Sequence, residues 1–130
     1  MSAGDVSRPI TDDLSGLRAQ VHDYGAKAGL SGQRLGDLVI AVNEAAINVL
    51  EHGGGRGTLT ITSDRAEVTA EITDTAGGLT ARHLRQPKPD HAALRGHGLW
   101  LIRQLCDRIV LDHPGGVSRL RLYMRLDLQV

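Results

Sequence analysis

The sequence predicts a two-layer α/β (α+β) sandwich, with a mixed, mostly antiparallel sheet covered by helices on one face. Three stretches carry that prediction. Residues 35–52 place apolar side chains at helical spacing, residues 58–72 alternate apolar and polar residues in two runs split by a short turn, and residues 119–128 alternate again. A period near 3.6 marks a helix buried along one face, and a period of two marks a strand buried on one face. Helices and hairpins that each carry one apolar face bury those faces against one another as layers.

Composition narrows the functional classes. The 130 residues fit a single domain with room for a sizeable core. An apolar fraction of 41% and a charged fraction of 23% are those of an ordinary globular chain. With one Trp, two Tyr and no Phe, the core must be built from Leu, Val, Ile and Ala, and there is no set of aromatic platforms for stacking single-stranded nucleic acid. Lys and Arg total 15 and so do Asp and Glu, so the broad positive field that duplex nucleic acid or an anionic membrane requires is lacking. Neither is expected as a direct partner. The single Cys106, inside an apolar helical run, reads as a small buried hydrophobe in a reducing compartment. No basic segment followed by an apolar core opens the sequence, and no run of about 18 apolar residues occurs, so the chain reads as cytoplasmic.

Taken in order, residues 1–9 have Ser, Gly and Pro without periodicity and read as a loose leader, with pairing as an edge strand the alternative. Residues 11–28 place Leu14, Leu17, Val21 and Tyr24 near helical spacing, with Thr11 or Asp12 suited to cap the start and Gly29 to stop the helix. Ser31 can cap the central helix. In that helix Leu35, Leu38, Val39, Val42, Ala45, Ala46 and Val49 gather on the core side. Glu44, Asn48 and His52 recur at intervals of four, drifting about 40° per step, and so stack on another stripe. That stripe is a solvated face at the least; at the most it offers a carboxylate, an amide and an imidazole to something outside. Gly53, Gly54, Gly55 and Gly57 then end the helix and free the backbone to reverse.

The hairpin follows, with Leu59 and Ile61 alternating with Thr in its first run, and Ala66, Val68, Ala70 and Ile72 marking its second. Its second strand delivers Asp74 and then Thr75, Ala76, Gly77 and Gly78, a turn by the simplest account. Residues 79–95, polar and interrupted by Pro87 and Pro89, form a loop long enough to be functional or mobile. Gly96, His97 and Gly98 introduce a helix over residues 99–107, where bare amides and the helix dipole both favour an anion. A short strand at 109–111, a turn at 113–116 and the long strand at 119–128 complete the chain, the arginines of the last facing solvent. Neither the Walker phosphate loop nor the dinucleotide fingerprint is present.

These motifs, in this order, resemble the Bergerat-fold (GHKL) ATP-binding superfamily, which includes histidine-kinase catalytic domains. The chain is most similar to the small anti-sigma factor serine/threonine kinases of bacterial partner switching, over about residues 14–126. The family's E-A-x-x-N-x-x-x-H stands here as EAAINVLEH, which implies Glu44 as the catalytic carboxylate, Asn48 as the magnesium ligand and His52 as the closing residue. The first glycine box, D-x-G-x-G, stands as DTAGG, so Asp74 matches the residue that recognises the adenine amino group and Gly78 the second glycine, while Ala76 replaces the first. The second box, G-x-G-L, stands as Gly96, His97, Gly98 and Leu99, and Ser118 sits where the family often has Thr near adenine. By the same resemblance, residues 79–95 are an ATP lid, with Lys88, Arg85 or Arg95 as phosphate partners among which the sequence does not choose. The implied cofactors are ATP and Mg²⁺, the implied partners a sigma factor and an anti-anti-sigma antagonist, and the implied assembly a homodimer. The implied activity is phosphorylation of that antagonist; the alternative is a non-catalytic nucleotide-binding regulator that sequesters a partner. The chemistry is coherent: Mg²⁺ needs few protein ligands beside phosphate and water, and a carboxylate one helical turn away can take or orient a serine proton.

Overall fold

The computed structural model describes residues 4–52, 56–75 and 97–126. Its elements are β1 (Val6–Pro9), α1 (Leu14–Ala28), α2 (Gly32–His52), β2 (Gly57–Ser63), β3 (Glu67–Asp74), α3 (His97–Leu105), β4 (Arg108–Asp112), a 3-10 turn (Pro114–Gly116) and β5 (Ser118–Arg125). The strands form one sheet in the order β1-β2-β3-β5-β4. Every pairing among them is antiparallel, where the sequence allowed a mixed sheet. Val6–Pro9 supplies the edge strand, so the structured chain begins inside the segment read as a leader.

Strand alternation decides which face is covered. Leu59 and Ile61 of β2, Val68, Ala70 and Ile72 of β3, and Leu120, Leu122 and Met124 of β5 are all buried on one face. They form one core with Leu17 and Val21 of α1 and Leu38, Val42, Ala45 and Val49 of α2. α2 is the middle helix, packed against α1 on one side and α3 on the other, and it lies over β3 and β5. The opposite face of the sheet carries Glu71, Thr73, Arg119, Arg121 and Tyr123, as an antiparallel sheet with one wet face should.

Helix ends follow capping chemistry with one shift. Asp13, rather than Thr11 or Asp12, caps α1, its Oδ1 accepting the Gly16 amide at 3.0 Å. The Thr11 hydroxyl instead accepts the amide of Asp13 at 3.1 Å. Gly29 ends α1 in the left-handed conformation at φ 119°, as its place in the sequence anticipates. Gly25, an unpromising residue for a helix interior, lies close against α2: a Cβ there would meet Leu35 Cδ1 at 2.7 Å, so that side chain would have to shift.

A polar clamp fixes the start of α2. Arg34 donates to the Arg125 carbonyl at 2.6 Å and to Asp107 Oδ2 at 2.5 Å, and Asp107 accepts the Arg125 amide at 2.6 Å. Partial burial pushes the Asp107 carboxyl up, but the amide of Arg125, the Arg34 hydrogen bond and both guanidinium charges hold it below its ordinary value. Burial, together with Asp107 and Asp37, pushes the neighbouring Cys106 thiol up to about 12, which leaves it an inert packing group. No helix among the described residues is long and apolar enough to cross a membrane.

Candidate functional site

At one end of the sheet the buried face turns polar. The inward residues of β3 run Val68, Ala70, Ile72 and then Asp74, whose relative exposure is 0%. Those of β5 begin with Ser118, also at 0%, before Leu120, Leu122 and Met124. The register pairs Asp74 with Ser118 on one side and with Gly57 of β2 on the other, so three strands contribute one row. Burying a carboxylate between a sheet and its helices costs folding energy that its partners must offset, and Asp74 and Ser118 are each engaged in a further interaction here.

Gly57 holds that row against α2. A Cβ there would lie 2.3 Å from the Thr73 carbonyl oxygen and 2.8 Å from Val49 Cγ1, so only glycine lets β2 pass this close. Val49 follows Asn48 directly, and α2 itself lies over β3 and β5; the polar end of the sheet is therefore roofed by the stretch of α2 that carries Asn48. Asn48 is 8% exposed, and its Nδ2 is buried with no hydrogen-bond partner among the described residues. A buried orphan amide costs about 1–3 kcal/mol, which marks a group kept for a ligand or a water. Glu44, one turn earlier on α2, is half-buried.

His52 is the last residue of α2, and His97, Gly98 and Leu99 form the first turn of α3. The anion-binding entry proposed for the Gly96 to Gly98 stretch thus opens a helix that packs on α2. Ala76, Gly78, Gly96 and the lid at 79–95, with Arg85, Lys88 and Arg95, lie outside the described residues. Among the described residues no group of three or more His, Cys, Asp or Glu gathers to cage a metal.

Two features escape sequence reasoning. Gly57 was legible as a helix terminator, not as the residue that admits Val49 and the Thr73 carbonyl. The arginines of β5 do not simply face solvent: Arg119 forks onto Asp112 of β4 at 2.9 and 2.5 Å, Arg121 donates to the same carboxylate at 3.2 Å, and both lie within 4.0 Å of Glu71. The Arg119 hydrogen bond is the main reason Asp112 stays below its ordinary value. This network ties β3, β4 and β5 on the wet face, away from the Asp74 row.

A profile of the histidine kinase-like ATPase domain matches residues 9–125, and the chain belongs to that family. Its membership implies ATP binding by a kinase-type ATPase fold. Two solved structures share the architecture. The RsbU and RsbW domains of Rv1364c from Mycobacterium tuberculosis superpose with a TM-score of 0.68 at 19% identity, covering 98% of this chain and 34% of that one. This chain thus spans only about a third of that protein's length. The SiaB-SiaC complex from Pseudomonas aeruginosa gives a TM-score of 0.60 at 13% identity, covering 96% of this chain and 91% of that one. No curated protein sequence matches closely enough to count as a relative.

Proposed function

We propose that the chain is an ATP-dependent serine/threonine protein kinase that acts as an anti-sigma factor in partner switching, phosphorylating an anti-anti-sigma antagonist. The observation that carries the nucleotide site is the buried Asn48 amide, whose nitrogen has no partner among the described residues, set over the row of Asp74, Ser118 and Gly57. With its nitrogen unbonded the amide can rotate to offer its oxygen to a cation, and one neutral protein oxygen suits an ion held mainly by phosphate and water. Asn48 would hold Mg²⁺, which when bound supplies charge neutralisation along the phosphates. Asp74 accepts the adenine amino group, with Ser118 beside it. Glu44 stands one turn from Asn48, where its carboxylate can orient the acceptor hydroxyl and take its proton. By their places in the family motifs, His52, Gly78, Gly96 and the first turn of α3 would serve the same nucleotide.

The likeness in fold to a structure of RsbU and RsbW domains and to one of a SiaB-SiaC complex supports protein partners. The partners are a sigma factor and its antagonist, and the chain works as a cytoplasmic homodimer. The test is incubation with γ-labelled ATP, magnesium and a purified antagonist. Label should pass to a serine or threonine of the antagonist, and Glu44→Gln should lower the transfer rate by about 10²- to 10⁴-fold while ATP binding survives. ATP held with no transfer to any antagonist would replace the kinase by the non-catalytic sequestering regulator.

A further inference from the structure

The outward side of α2 carries isoleucine where a surface helix should be polar. Ile40 is 45% exposed, the one large hydrophobic residue so exposed among the described residues. Ile47, partly buried, lies on the same side. At about 100° per residue, both fall within roughly 60° of Glu44, one a turn before it and one a turn after. Neither belongs to the core-facing arc of α2, which is filled by Leu38, Val42, Ala45 and Val49, and isoleucine is a poorer helix former than the Lys, Glu or Ala expected at such positions.

The geometry points to this strip, Ile40–Glu44–Ile47, as the docking surface for the phosphoacceptor protein, which presents an apolar side chain and a Lys or Arg beside its acceptor serine or threonine. The inference rests on the kinase reading. A hydroxyl within about 2.6–3.2 Å of Glu44 must bring its own chain over the helix neighbours of Glu44, whose Cβ atoms lie only about 5–6 Å away. An apolar residue flanking the acceptor then covers Ile40 or Ile47. The charge complements this on one flank: Asp37 and Glu44 are both acidic and lie to one side of the isoleucines. Arg18 of α1 donates to Asn43 Oδ1 at 3.1 Å on the other flank, so the partner's Lys or Arg meets the Asp37 and Glu44 side.

The test places the photo-crosslinking residue benzoylphenylalanine at position 40 of the full chain in its own cells, with Arg65 at the exposed hairpin tip as the control position. The protein captured at position 40 and not at 65 is purified and assayed with γ-labelled ATP. Ile40→Ser should raise KM for that protein about tenfold, the effect of withdrawing a half-exposed isoleucine from an apolar contact, with kcat and ATP affinity unchanged. Ile40→Leu should restore KM. An unchanged KM in Ile40→Ser, or capture at position 40 of nothing beyond a second copy of the chain or the proteins seen at 65, overturns the strip. Binding weakened by Ile40→Ser with no phosphate transfer upholds the strip and overturns the kinase reading.

Discussion

Asp74→Asn separates a carboxylate kept for binding from one kept for folding. The substitution preserves volume and leaves one acceptor oxygen, but it removes a charge from a position with 0% exposure. Two consequences follow. In the folded chain the desolvation cost of a buried carboxylate falls while the partner it has there still meets an acceptor oxygen, so stability should change little. In the nucleotide complex a hydrogen bond to a charged acceptor becomes one to a neutral acceptor, a loss of about 1 kcal/mol from the difference between the two classes. That corresponds to roughly fivefold weaker ATP or ADP binding. The amide also offers a donor that the adenine amino group cannot use, so preference over guanine nucleotides should relax. Calorimetric titration with Mg²⁺ and each nucleotide measures the affinity, and a thermal melt measures stability. If Asp74 were structural, each kcal/mol lost would lower the melting midpoint by roughly 3–6 °C in a domain of this size. A lowered midpoint with unchanged nucleotide affinity and preference would refute the assignment.

Asn48→Ala should leave stability level or slightly raised, because it deletes a buried unpartnered amide from a helix, while magnesium-dependent nucleotide binding falls by at least the roughly tenfold that even an outer-shell metal partner is worth; equal affinity with and without the amide would move the metal elsewhere. Gly57→Ala drives a methyl to 2.3 Å from the Thr73 carbonyl, so urea unfolding should show a loss of about 1–3 kcal/mol, and an unaltered midpoint would mean that β2 is not held this close to Val49. Asp107 titrates below its ordinary 3.8 in the folded chain, so its contribution is complete above that value and disappears as pH falls through the depressed native one. Asp107→Asn should therefore be less stable than the parent at neutral pH by about 1–2 kcal/mol, with the gap closing in acid below about pH 4; a gap independent of pH would show that charge is not what the clamp uses.

What the sequence disclosed and what it hid divide along one physical line. Periodicity reports burial. It therefore gave α2 and β5 almost to their ends, and it failed for β1, whose four residues are too few to establish a period. Pairing leaves no such mark. The contact of Arg34 with Asp107 spans 73 positions, and the Arg119–Asp112 fork depends on β4 lying beside β5; no local pattern announces either. The register that sets Asp74 beside Ser118 is hidden in the same way: Asp74 reads locally as a turn, Ser118 lies before the strand at 119–128, and only the family motifs single out both, although each is the one polar group at an inward position of its strand. The same logic runs in reverse on α2. A polar residue inside and an apolar residue outside are both departures that the fold must bear, by about 1 kcal/mol or more for the buried group and by exposed apolar area for the other. On the proposed reading Asp74 inside and Ile40 outside carry the same kind of information, one about a small ligand that enters the core and one about a protein that covers the helix.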